Sequence, residues 1–174
     1  MRKSIIAILM TFCLSIMTYA QTPRDRATEL KEQAQSSLNQ KDYIKARYLF
    51  KKAYEAFATR ENYPQAIECG VQANALYVRE NFYKEGFELC RDMDQLIWAG
   101  EQNQKKVFYD LRFLVNKERL QMYTALKNPA QAKTQLNKLE ETANLAKNDS
   151  LTEVLLYTKA NYYYTFNQNT QGDA

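Results

Sequence analysis

Histidine is absent from all 174 residues of this chain. That removes the side chain most used for proton transfer near neutral pH, and with it the commonest zinc ligand. Cysteine is nearly as scarce: of the three present, Cys13 lies in an apolar N-terminal stretch, which leaves Cys69 and Cys90. Glycine (four) and proline (three) are few, and nearly all sit where a helix should begin or end. No strand pattern of any length occurs, because apolar residues nowhere alternate with polar ones over a sustained run. Gly-rich phosphate loops, Ser-His-Asp sets and clusters with metal-ligand spacing are also missing. Glu140 and Glu141 are sequence neighbours that diverge around a helix, so they cannot flank one bond. No catalytic, cofactor-binding or metal-binding residue is therefore expected, and the chain does not read as an enzyme.

Charge of one sign is lacking too. Arg and Lys number 24 against 20 acidic residues, and the signs alternate along the helices, as in Lys31-Glu32 and Lys138–Glu141. A balance this even leaves no nucleic-acid footprint and no polybasic membrane patch.

The one long apolar run is at the N-terminus. Arg2 and Lys3 precede an apolar stretch from Ile5 to Met17, and Thr18-Tyr19-Ala20 supplies the small residues a signal peptidase reads. Residues 1–20 are expected to be a signal peptide cleaved after Ala20, which places the mature chain in the periplasm or outside the cell. The run is too short for a comfortable membrane span and has no stop-transfer pattern, although an uncleaved anchor is the alternative. Met10-Thr11-Phe12 before Cys13 lacks the small residues of a lipobox, which argues against lipidation.

The remainder, 21–174, reads as seven helices. Thr22 and Pro23 are expected to start the first, with Asp25 adding charge near its N-terminus and Ala27, Leu30, Ala34 and Leu38 on one face. Asn39–Asp42 breaks it, and a second helix carries Tyr43, Ala46, Phe50, Ala53, Tyr54 and Phe57. The third runs from Pro64 to about Arg79, with Ile67, Gly70, Val71, Asn74, Tyr77 and Val78 inward. The fourth runs from Phe82 to Trp98 and is closed by Ala99-Gly100. The fifth runs from Gln102 to Leu126, and the sixth from Asn128-Pro129 with Ala132, Leu136, Leu139 and Ala143. Ser150 and Glu153 form a capping box for the seventh, which fades at 167–172.

A recurrence runs through these helices. Asp42-Tyr43, Ala46, Phe50 and Ala53 are echoed by Tyr83, Gly86, Cys90 and Met93, and again by Pro129, Ala132, Leu136 and Leu139. The small residues Ala46, Gly86 and Ala132 stand 40 and then 46 positions apart. Residues 42–53 resemble the second helix of a tetratricopeptide repeat, and the later copies resemble it less closely. The resemblance implies an all-α, right-handed solenoid of antiparallel helix hairpins with an incomplete last repeat. Its spacing exceeds the usual 34 residues, so helices or turns are enlarged. Small residues let two helices approach closely and the aromatics fill the gap between hairpins, so these are packing positions.

Such arrays bind protein or peptide partners in a groove lined by the first helix of each hairpin. By register, Lys31, Gln35, Asn39, Arg79, Lys117 and Gln121 are the expected groove residues, suited to a carboxylate or acidic segment. Tyrosine is abundant at 13 residues. Tyr162-Tyr163-Tyr164 covers most of a helix circumference, which makes Tyr162 a further contact candidate. An exported array of this kind also resembles the periplasmic region of bacterial sensory regulators with a histidine kinase or DNA-binding output. A carbohydrate-binding helical protein is the other alternative, and it would need exposed aromatics forming a platform. Self-association through an uncovered last helix is compatible with either. Cys69 and Cys90 flank the turn at Asn81 on facing helices, so they are either a disulfide or two small buried hydrophobes.

Overall fold

The computed structural model describes residues 25–166. Among them are seven helices and no strand: α1 (Arg26–Asn39), α2 (Tyr43–Ala58), α3 (Tyr63–Arg79), α4 (Tyr83–Gln104), α5 (Tyr109–Ala125), α6 (Pro129–Ala146) and α7 (Asp149–Thr165). Each helix packs on its successor, and α5 additionally touches α3 and α7. No described helix is long and apolar enough to cross a membrane. The leader with its cleavage site, the Thr22–Pro23 start and the fade at 167–172 lie outside the described residues.

One turn design joins most of the helices. The Lys41 N–H donates to the Leu38 carbonyl at 3.0 Å and the Asp42 N–H to the Ser37 carbonyl at 2.9 Å. This is a Schellman closure, with Lys41 in the left-handed region at φ 63°. Glu61-Asn62, Asn81-Phe82 and Lys127-Asn128 repeat the same pair of bonds. The residue that completes each closure is the N-cap of the next helix. Asp42, Asn62 and Asn128 accept there from the backbone N–H three residues on, at 3.2, 3.4 and 3.1 Å. A short polar residue at this point thus ends one helix and starts the next, which is why the turns need only three or four residues.

The expected boundaries are corrected at three places. Asp25, three positions after the expected cap, caps α1 by accepting from the Ala27 N–H at 3.0 Å. The expected Ser150–Glu153 capping box is replaced by Asn148, whose side chain accepts from the Ser150 N–H at 3.0 Å. The third correction is the largest. Ala99-Gly100 does not end α4, which continues to a left-handed Lys105, and α5 starts at Tyr109 instead of 102. Gly100 serves a close approach instead, since a Cβ there would lie 2.8 Å from the Phe108 ring and 2.9 Å from that of Tyr63. The extra turn of α4 carries Glu101, whose carboxylate accepts from the Phe108 N–H at 2.9 Å and from Arg112 Nε at 2.7 Å. Phe108 offers no capping side chain of its own, so α4 satisfies the start of α5 from outside. The Arg112 hydrogen bonds hold the Glu101 carboxyl below the usual carboxylate range, outweighing the effect of its burial.

The core divides along α5. Leu111, Val115 and Met122 join a cluster built from α1 to α4, whereas Phe113 and Leu120 join a second with Ala132, Leu136, Leu139, Ala143, Leu155 and Tyr162. The recurrent positions Ala46, Phe50, Ala53, Gly86, Cys90, Met93, Ala132, Leu136 and Leu139 are all buried. At the meeting of α3, α4 and α5, a Cβ on Gly86 would lie 2.7 Å from Met122 Sδ and 3.0 Å from Asn74 Oδ1. Asn74 Nδ2 in turn donates to Glu118 Oε2 at 3.0 Å.

Candidate functional site

Where α5 and α7 pass one another they leave a cavity of about 870 Å³. Three of the sequence candidates, Lys117, Gln121 and Tyr162, line it together. Lys117 and Gln121 lie one helical turn apart on α5, and Tyr162 forms part of the opposing wall on α7. Tyr162 is itself a core residue at 5 % exposure, with its ring 5.3 Å from Tyr163 and 5.0 Å from Phe166. It is Tyr164, not Tyr162, that turns to solvent.

The other candidates are engaged elsewhere. Lys31 donates to Gln65 Oε1 at 2.9 Å and pairs with Glu68 at 2.7 Å, bracing α1 against α3. Arg79 stacks its guanidinium 4.0 Å from the Tyr43 ring centroid and so ties α3 to the start of α2. Gln35 donates to Asn39 at 3.2 Å along the exposed side of α1. None of these four lines the α5–α7 cavity.

The cavity has members that sequence spacing did not single out. Tyr157, 78 % exposed, stands at its edge with Val154, and Thr158, Asn161 and Thr165 continue the same stripe down α7. From α5 come Leu120, Thr124 and Ala125, with Lys127 in the following turn. Residues 154, 157, 158, 161 and 165 recur at helical spacing, a second stripe beside the buried Leu155–Tyr162 one. That spacing was the available signal. Lys117 and Lys127 against Glu153 leave the lining with an excess of positive charge, and hydroxyl and amide groups border an apolar floor. Such a lining can hold an extended backbone through its amide and hydroxyl groups and a carboxylate through its lysines.

Of the two alternatives for Cys69 and Cys90, the structure has the second: both are buried free thiols. Cys69 lies in the field of Lys31 and Glu68, and Cys90 in that of Arg119, Glu118 and Asp94. Burial pushes the two thiols up to about 11 and about 12, far from the range of a reactive thiolate. Among the described residues no group of histidine, cysteine or carboxylate side chains could hold a metal ion. No protein-family model matches the chain, and neither a curated protein nor a solved structure does.

Proposed function

We propose that the chain is an exported helical-repeat module of the tetratricopeptide kind. In this reading it binds an extended, carboxylate-bearing segment of a protein partner in the α5–α7 cavity. The order of packing supports the solenoid part: each helix packs on the next, and α3, α5 and α7 also touch one another in succession. Helix starts at Tyr43, Tyr63 and Tyr83, and again at Tyr109, Pro129 and Asp149, recur every 20 residues. The longer α4 and the segment after it account for the 46-residue interval in place of 40. Export rests on the Arg2-Lys3 and Ile5–Ala20 pattern alone.

The single observation that carries the binding reading is the convergence of Lys117, Gln121 and Tyr162 on one cavity with a positive excess. The test is selection of a random peptide library on the immobilised chain, followed by calorimetric titration of the enriched peptides. Enriched sequences are expected to be acidic, and the Lys117→Glu, Lys127→Glu double variant is expected to weaken them tenfold or more. Lys31→Glu, which breaks the pair with Glu68, should leave affinity unchanged. Basic or neutral peptides bound equally by the double variant would overturn the reading.

A further inference from the structure

A second cleft of about 450 Å³ opens between α4, α5 and α6, and it shares no lining residue with the α5–α7 cavity. Each helix contributes one stripe: Asp94, Ile97 and Trp98 from α4, Tyr109, Arg112, Asn116 and Arg119 from α5, and Lys138, Glu141, Thr142 and Leu145 from α6. Trp98, the sole tryptophan of the chain, is 62 % exposed at this cleft, and Leu145 is 53 % exposed on the other wall. An indole left in water beside fixed polar groups is costly as packing, but it supplies a flat apolar platform.

The polar groups around that platform are of two kinds. Arg119 is locked in place, with Nη2 bonded to Asp94 Oδ2 at 2.5 Å and to the Cys90 carbonyl at 3.0 Å, while Arg112 is held by Glu101. Both guanidinium groups and the Asp94 carboxylate are therefore planar, oriented donors and acceptors with hydrogen-bonding capacity to spare. The Asn116 and Glu141 side chains make no hydrogen bond among the described residues. Arg119 is paired with Asp94, and Arg112 with the buried Glu101 outside the lining, which leaves Lys138 and Glu141 as two charges of opposite sign. A cationic ligand would meet Arg112, Arg119 and Lys138, and an anionic one the carboxylates of Asp94 and Glu141. A neutral ligand with many hydroxyls and one apolar face meets neither penalty.

We propose that this cleft binds a neutral sugar ring. Trp98 stacks on the C–H face of the pyranose, while Asp94, Asn116 and Arg119 bond its vicinal hydroxyls. This site is independent of the peptide-binding cavity, and the two can be occupied separately.

Trp98 reports directly on the site, because all tryptophan emission comes from it. The experiment titrates the chain with neutral gluco-, xylo- and chito-oligosaccharides while following that emission. A saturable change is expected with at least one of the three. Asn116→Ala and Asp94→Ala are expected to lower the affinity at least fivefold at unaltered helicity by circular dichroism, while Lys117→Glu leaves it as it is. The proposal is overturned if none of the three sugars moves the emission. It is equally overturned if a sugar moves it with the same affinity in both cleft variants, or if only charged peptides move it.

Discussion

Asn74, Glu118 and Gly86 meet where α3, α4 and α5 converge, at 0 % exposure for Asn74 and 3 % for Glu118. Asn74 Oδ1 has no hydrogen-bond partner there. Burial raises the Glu118 carboxyl above the usual carboxylate range, and the Asn74 hydrogen bond and Lys117 only partly oppose it. The folded chain thus holds this proton more tightly than the unfolded one. Its contribution to stability is full below the unfolded pKa of about 4.3 and is lost as pH rises through the folded value. Glu118→Gln keeps the acceptor for Asn74 Nδ2, and its new amide can donate to the unpartnered Oδ1. The variant is expected to be more stable than the parent by about 1–2 kcal/mol at pH 7.5, with the gain shrinking toward pH 4. Urea unfolding at both pH values measures this, and an equal gain at both would refute the burial argument. At this scale the sequence revealed the packing residues better than the polar ones. Ala46, Phe50, Ala132 and Leu136 declare themselves by period, because burial depends on the helix face. Lys31 and Arg79 do not, because their partners Glu68 and Tyr43 lie more than thirty residues away.

The helices are legible chiefly through their ends. Asp42, Asn62 and Asn128 are short polar residues that announce a cap, and Pro64 and Pro129 follow where a first turn tolerates them. Gly100 misled because a glycine beside an apolar helix end signals a stop as readily as a close contact, and only the rings of Tyr63 and Phe108 distinguish the two. Gly100→Ala is expected to cost about 2–3 kcal/mol, since aromatic rings cannot yield as a flexible side chain does. This loss exceeds the ~1 kcal/mol of helix propensity that alanine adds. A thermal melt no lower than the parent's would return Gly100 to the role of a stop. The turns carry the opposite kind of strain. Glu61 holds φ at 56° although it has a Cβ, so Glu61→Gly should stabilise by roughly 1 kcal/mol, read as a raised urea midpoint. A lowered midpoint would mean that its side chain makes a contact worth more than the strain.

Across the whole molecule, α5 is the pivot. It belongs to both core clusters, its Glu118 reaches into α3, and its remaining faces line the two open clefts. A helix shared in this way has few positions free for solvent, which is why its apolar pattern is weak in sequence. The groove was legible only in part. Register placed Lys117 and Gln121, but Tyr157 and Asn161 needed α7 to be set against α5. The α5–α7 cavity is the central claim, and amide resonance mapping tests it most directly. The labelled chain is titrated with an acidic peptide selected from the library. The account predicts that perturbed amides cluster in 117–127 and 153–165, with little change around the exposed Ile44 and Tyr48 of α2. Perturbations gathered on α2, with 117–127 and 153–165 unmoved, would contradict it.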